Sequence, residues 1–192
     1  MPRSPRHLEP GGFHHVSPRG NDGRLIFVDE SDRRHHLDLL ERVVRQFGWV
    51  VYGYCQMTNH YHLVLEDPHA TLSLGMQKLQ GDYARYWNWR HGHRDHLFRN
   101  RFPSRPIRSD GHLVAAVGYV DLNPVRARMK FRPEQWPWSS HRAHVGLAHA
   151  PRFLALSAFQ RLLAPSPEAA FRAYKRVIAE ALAAGSDTVA RA

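Results

Sequence analysis

Apolar positions along the chain follow two periods, and the switches between them divide it into helices and strands. Leu37, Leu40, Val44 and Phe47 fall at helical spacing, which predicts a helix that begins after an Asp29 N-cap and stops at Gly48. Leu72, Met76, Leu79, Tyr83 and Trp87 form a longer stripe and predict an amphipathic helix over residues 71–90. Leu113, Val117 and Val120 mark a third helix, capped by Asp110. Pro124 disfavours helical geometry at Asn123, so Asn123 is expected to end that helix and cap a short second one carrying Arg126 and Arg128. Residues 151–163 and 167–182 read as two more helices. Strand patterns cover residues 13–19, where Pro18 argues for an edge or an early end, and then 49–56 and 60–66, expected to pair antiparallel across the Met57-Thr58-Asn59 corner. A fourth run, 97–107, alternates apolar residues with Arg99, Arg101 and Arg105.

Composition narrows the partners. The 192 residues carry 27 Lys and Arg against 17 Asp and Glu, a net charge of +10, which calls for a polyanion, with nucleic acid first and an anionic membrane surface second. Between Arg85 and Arg132 stand ten Arg and one Lys against three Asp, so +8 of that charge lies in the middle of the chain. The preference for Arg suits bidentate contacts to phosphate. No apolar run is long enough for a membrane span, and residues 1–12 lack a signal-peptide core, so a cytoplasmic protein is expected. The single cysteine, Cys55, excludes an internal disulfide and a cysteine-based zinc site. Any metal has to be held by His, carboxylate or amide.

The candidate chemistry centres on His60-Tyr61-His62. In a strand both imidazoles share one face, while Tyr61, Leu63 and Leu65 turn to the other. Such a pair resembles half of a metal site, although two histidines on a half-exposed strand have the same spacing. Tyr119 and Asn123 lie one turn apart on the third helix, on a side distinct from its apolar one. The arginines at 99, 101 and 105 would face phosphate or merely solvent. At the end of the 71–90 helix, Arg85, Tyr86, Trp87, Trp89 and Arg90 are either core and surface residues or a platform for stacked bases.

Taken jointly and in order, several pieces resemble the HUH single-strand DNA transposases, in particular the REP-associated tyrosine transposases. They are Val16-Ser17-Pro18-Arg19-Gly20-Asn21, Met57-Thr58-Asn59-His60 running into His62, Leu97-Phe98-Arg99-Asn100-Arg101-Phe102, Tyr119-Val120-Asp121-Leu122-Asn123-Pro124, and Trp136-Pro137-Trp138-Ser139-Ser140. The resemblance implies an α+β fold, a mainly antiparallel sheet with helices packed on it in the HUH or ferredoxin-like sandwich, plus C-terminal helices. It divides the chain into a flexible tail (1–12), the tyrosine transposase domain (13–146), a helical extension (147–184) and a disordered tail (185–192). It also implies a divalent ion, Mg or Mn, held by His60, His62 and Asn123, with Tyr119 attacking single-stranded DNA to give a 5′-phosphotyrosine. DNA folded as a REP-like palindromic hairpin is the implied partner, with Arg19, Arg99, Arg101, Arg105, Arg126 and Arg128 as the binding set. No nucleotide cofactor is expected, and whether the protein is a monomer or a dimer stays open. Two departures stand out: the middle of the histidine motif is Tyr61, and His14 occupies a position where the family would carry an aromatic.

Among the seven tyrosines, Tyr52, Tyr54 and Tyr83 sit in core-like runs, and alternation turns Tyr61 away from the histidine face. Tyr119, one helical turn before the third metal ligand that the resemblance implies, is the expected nucleophile. A hairpin-binding regulator without catalysis, and a metal phosphodiesterase that uses water, are the competing readings. The first would gain nothing from intact His60, His62, Tyr119 and Asn123, and the second predicts no covalent adduct.

Overall fold

A computed structural model describes residues 8–99 and 101–189. Four strands form one antiparallel sheet: β1 (Gly12–Val16), β2 (Val50–Gln56), β3 (Tyr61–Asp67) and β4 (Ser104–Ile107), in the order β2-β3-β1-β4. Helix α1 (Glu30–Phe47) and helix α2 (Leu72–His91) cover one face, and α3 (Asp110–Asp121) lies across the other. Then follow the short α4 (Asn123–Arg126) and α5 (His141–His144), and the C-terminal α6 (Leu156–Leu163) and α7 (Pro167–Val189). This is the antiparallel sheet with packed helices expected of an HUH-type sandwich. Among the described residues no helix is long and apolar enough to cross a membrane.

Side-chain alternation in β3 feeds two cores. Tyr61, Leu63 and Leu65 join Leu40, Val43, Met76, Leu79 and Tyr83 from α1 and α2, whereas Val64 joins Val117 and Val120 of α3 with Phe159, Tyr174 and Ile178 of the last two helices. A bulge in β2, between Val51 and Gly53 in the pairing with β3, places Tyr52 and Gly53 together on the α3 face. Gly53 lets α3 approach closely, because a Cβ there would stand 3.2 Å from Val117 Cγ1. The C-terminal helices therefore complete the second core. Leu154, just before α6, also bridges Val51 of β2.

The helical periods translate closely into structure. Asp29 caps α1 by accepting from the Asp32 amide, and Gly48 ends it in the left-handed conformation (φ 68°). Leu72, Met76, Leu79, Tyr83 and Trp87 are all buried. The end of α2 is mostly spent on packing: Tyr86 stacks on His35 at 3.7 Å, and Arg90 bonds Asp29 and Asp32, leaving Trp89 as the exposed aromatic.

Four expectations are revised. The 97–107 run is not one strand. Residues 97–99 cross to pair with the loop after β1, through Asn21 N to Leu97 O (2.8 Å) and Arg99 N to Arg19 O (3.0 Å), and only Ser104–Ile107 joins the sheet, at its edge where Pro106 is tolerated. Asn100 lies outside the described residues, as do residues 1–7 of the expected N-terminal tail and 190–192 of the C-terminal one. Ser109, in extended backbone, caps α3 in place of Asp110, which falls in the first turn. Asn123 does not cap forward onto α4. Its Nδ2 donates back to the Tyr119 carbonyl at 2.9 Å, and Leu122 joins the two helices. Helix α7 continues past 182 to Val189, so the backbone of residues 185–189 is helical.

His36 is buried between α1 and the sheet, with Gln56 Nε2 donating to its Nδ1 at 3.0 Å. Burial first, then the neighbouring His35 and Arg33, push its pKa down to about 3. The unfolded chain takes up this proton below about 6.5 and the folded one only near 3, so stability is lost as pH falls through that window. Urea denaturation from pH 7 to 4 should show a slope of stability on pH that is smaller in His36→Leu, by at most about 1.4 kcal/mol per pH unit.

Candidate nucleic-acid interface and metal site

The loop after β1 is stitched between two neighbours. Tyr61 N donates to Pro18 O (3.2 Å) and Gly20 N to Asn59 O (2.8 Å), while Arg99 N bonds Arg19 O from the other side. This brings Arg19, Arg99, Arg101, His60 and His62 around one cavity of about 440 Å³. A second cavity of about 490 Å³ shares Ser17, His62 and Pro103 with the first and adds His15, Arg105, His112 and Tyr119. The two form a continuous basic cleft with the histidine pair at its centre. Tyr119 is 45% exposed at the edge of this cleft. Its ring centroid lies 5.8 Å from that of His15 and 6.1 Å from that of His62.

The imidazoles are prepared to act as neutral ligands. Asn59 Nδ2 donates to Gly23 O (3.2 Å), which turns its Oδ1 toward His60; His60 Nδ1 donates to that oxygen at 2.7 Å, leaving Nε2 with a free lone pair. His62 is buried, its Nδ1 lies 2.9 Å from His15 Nε2, and its own Nε2 is buried with no hydrogen-bond partner. A buried nitrogen without a partner beside a second imidazole fits a divalent cation well. The pKa values agree. Burial and Arg19 push His60 down to about 4, and burial followed by His15 and His60 pushes His62 down to about 3. Both rings are neutral at pH 7.

Among the described residues no group of three His, Cys, Asp or Glu side chains is arranged to hold a metal ion. A third protein ligand would then be an amide. Asn123 is buried and commits its NH2 to carbonyls of α3, which leaves Oδ1 as the end able to coordinate. It is bonded directly to the turn carrying Tyr119, but it is not among the side chains lining either cavity. Arg126 and Arg128 are not among them either. Arg126 instead lays its guanidinium over the Tyr119 ring, 4.7 Å from the centroid, and Arg128 is exposed in a turn of positive φ (55°).

His15 and His112 belong to the cleft and were not singled out by sequence reasoning. His15 carries the same period-two signal, being on the Phe13 and Ser17 side of β1, but its pairing with β3 joins positions 47 residues apart.

The family model described as "Transposase IS200 like" matches residues 15–123, more than half of the chain and a span that runs from His15 to Asn123. The chain belongs to this family of transposases. It is thereby classed as an enzyme. No curated protein matches it. Among solved structures, this transposase is similar in fold to a REP-associated tyrosine transposase bound to a REP hairpin, with a TM-score of 0.63 and 18% identity over 82% of this chain and 96% of that one.

Tyr119 is held in place from behind by Asp121, two residues further along α3. The Asp121 carboxylate is wholly buried and accepts from Ser140 Oγ (2.8 Å), His144 Nδ1 (2.9 Å) and the Tyr174 hydroxyl (2.8 Å). Burial would raise its pKa, but the His144 and His141 imidazoles outweigh that and hold it well below the usual carboxylate range. Tyr174→Phe deletes a hydrogen bond to a charged group and should lower unfolding stability by about 1.5–3 kcal/mol in urea titrations.

Proposed function

We propose that this transposase is a metal-dependent single-strand DNA endonuclease and strand transferase of the REP-associated tyrosine type, acting on palindromic hairpin DNA through a 5′-phosphotyrosine intermediate. The observation that carries the reading is an exposed Tyr119 beside two neutral imidazoles in a cleft lined by Arg19, Arg99, Arg101 and Arg105. His60, His62 and Asn123 would hold a divalent ion, Mg²⁺ or Mn²⁺, which supplies polarisation of the scissile phosphate when bound.

The arginines bind and orient the backbone of a single strand across the cleft. Phenol is a weak nucleophile at neutral pH, with an ordinary pKa near ~10, so its placement against the phosphate matters more than its basicity. Tyr119 Oη attacks phosphorus, the bond to the 3′ oxygen breaks, and the proton lost by the phenol is balanced by the one that the departing 3′ oxygen takes up. The phosphodiester energy stays in the tyrosyl ester. A second 3′ hydroxyl can then displace Tyr119, so strand transfer requires no nucleotide. Arg126, with its guanidinium 4.7 Å from the Tyr119 ring centroid, holds that ring by a cation–π contact.

Incubation with a hairpin oligonucleotide bearing single-stranded flanks, in Mn²⁺, should yield an SDS-stable protein–DNA adduct. Tyr119→Phe should fold and bind the hairpin yet give no adduct, whereas cleavage without any adduct would favour water as the nucleophile. His60→Ala and His62→Ala should lower cleavage by at least about 100-fold, on the scale of losing a metal ligand's contribution, with DNA binding largely kept. Mn²⁺ should match or exceed Mg²⁺ at lower concentration, because imidazole ligands suit the softer ion; activity in Mg²⁺ alone would contradict this ligand set. Binding should weaken steeply with salt, and Arg99→Ala or Arg105→Ala should each reduce the log–log slope by about 1. Equal affinity for a fully paired duplex of the same length would contradict the single-strand reading.

A further inference from the structure

His15 stands outside the metal-ligand set proposed above, yet among the described residues it makes the one hydrogen bond to the ring of His62, 2.9 Å from its Nε2 to His62 Nδ1. The contact is built into the sheet. The antiparallel ladder pairs His15 with Val64, so His15 and His62 lie on the same face of adjacent strands, within the reach of diagonal neighbours. The rings stack at 30° with centroids 5.1 Å apart.

Two imidazole nitrogens facing each other need one proton between them, and the direction of the bond has a consequence. If His15 donated, His62 would carry its own proton on Nε2. That atom is buried with no acceptor, and a stranded N–H costs about 1–3 kcal/mol. If His62 donates through Nδ1, its Nε2 is left as a lone pair, the form that a cation takes. His60 has the same arrangement, because Asn59 Oδ1 accepts its Nδ1 proton at 2.7 Å.

We infer that His15 is a positioning residue of the metal site: its Nε2 accepts the Nδ1 proton of His62 and holds that ring in the tautomer whose Nε2 can coordinate. His15 does for His62 what Asn59 does for His60. Its own proton is then on Nδ1, and it needs no charge for the task. The inference rests on the metal-binding reading for its purpose, although the tautomer itself can be read without metal.

The test uses the full chain labelled with ¹⁵N-histidine. In the metal-free protein at neutral pH, long-range ¹H–¹⁵N spectra should show His62 and His60 protonated on Nδ1. His15→Gln retains an acceptor oxygen and should keep the His62 tautomer. His15→Leu should shift His62 toward protonation on Nε2 and weaken Mn²⁺ binding about 10- to 100-fold, followed by the electron paramagnetic resonance of free Mn²⁺. His15→Gln should lie within a few-fold of the unmodified protein. Protonation of His62 on Nε2 in the unmodified protein would overturn the inference, as would Mn²⁺ affinity within two-fold in His15→Leu or an equal loss in both variants. Absence of Mn²⁺ uptake by the unmodified protein, with His62 protonated on Nδ1, would instead overturn the metal reading and leave His15 as the acceptor.

Discussion

A buried carboxylate holds the helix that carries Tyr119 to the rest of the molecule. Asp121 has no solvent exposure, so its charge is tolerable only because three donors surround it, two from the Ser140–His144 turn and one, Tyr174, from α7. Ser140 Oγ also accepts from the Tyr54 amide (2.9 Å), Ser140 N donates to the Tyr54 carbonyl (2.9 Å), and His144 reaches the Tyr52 carbonyl at 3.0 Å, so the same group of residues ties α3 to β2, to α5 and to α7. Since Tyr119 is two residues from Asp121, the position of its phenol over the cleft depends on helices far along the chain.

The same layout explains why the cleft can be polar without weakening the sheet. Its histidines lie where β1 and β3 leave the shelter of α3, with Val64 on the same face already in the core. On the opposite face Tyr61 is fully buried against Phe27, His36 and Phe98, which raises its hydroxyl far above the ordinary tyrosine range. One strand thus separates two tyrosine environments: Tyr61 is packed away, and Tyr119 across the sheet is open. At the far end of β2, Gln56 O accepts from both Arg33 Nη1 (2.9 Å) and Trp136 Nε1 (3.0 Å), with the Arg33 guanidinium beside the rings of Trp136 and Trp138. The aromatic turn at 136–140 is therefore a clasp between α1, β2 and the Asp121 group.

Local chemistry made much of this legible in the sequence. The Asp29 cap and Gly48 stop, the buried stripe of α2, the shared face of His60 and His62, and the opposite placement of Tyr61 all follow from helix periods, strand alternation and backbone preferences that act within a few residues. Tyr119 and Asn123 one turn apart follow in the same way, although the bond from Asn123 back to the Tyr119 carbonyl reverses the forward cap that Pro124 suggests. The arginine run at 97–107 misled as a strand because alternation cannot distinguish a ladder within the sheet from a loop that pairs briefly with another loop.

What only the tertiary structure decided are contacts between residues distant in the chain. His15 beside His62 requires β1 to lie next to β3 rather than at the sheet's edge. The buried Asp121 requires the C-terminal helices to dock on the face behind α3, which no pattern within 151–182 announces. The basic cleft, too, exists because three separated segments are stitched together at Arg19, Asn59 and Arg99. Periodicity records which face of an element is apolar; which elements meet is settled by burying two cores on the two sides of one sheet, and that is a property of the whole chain.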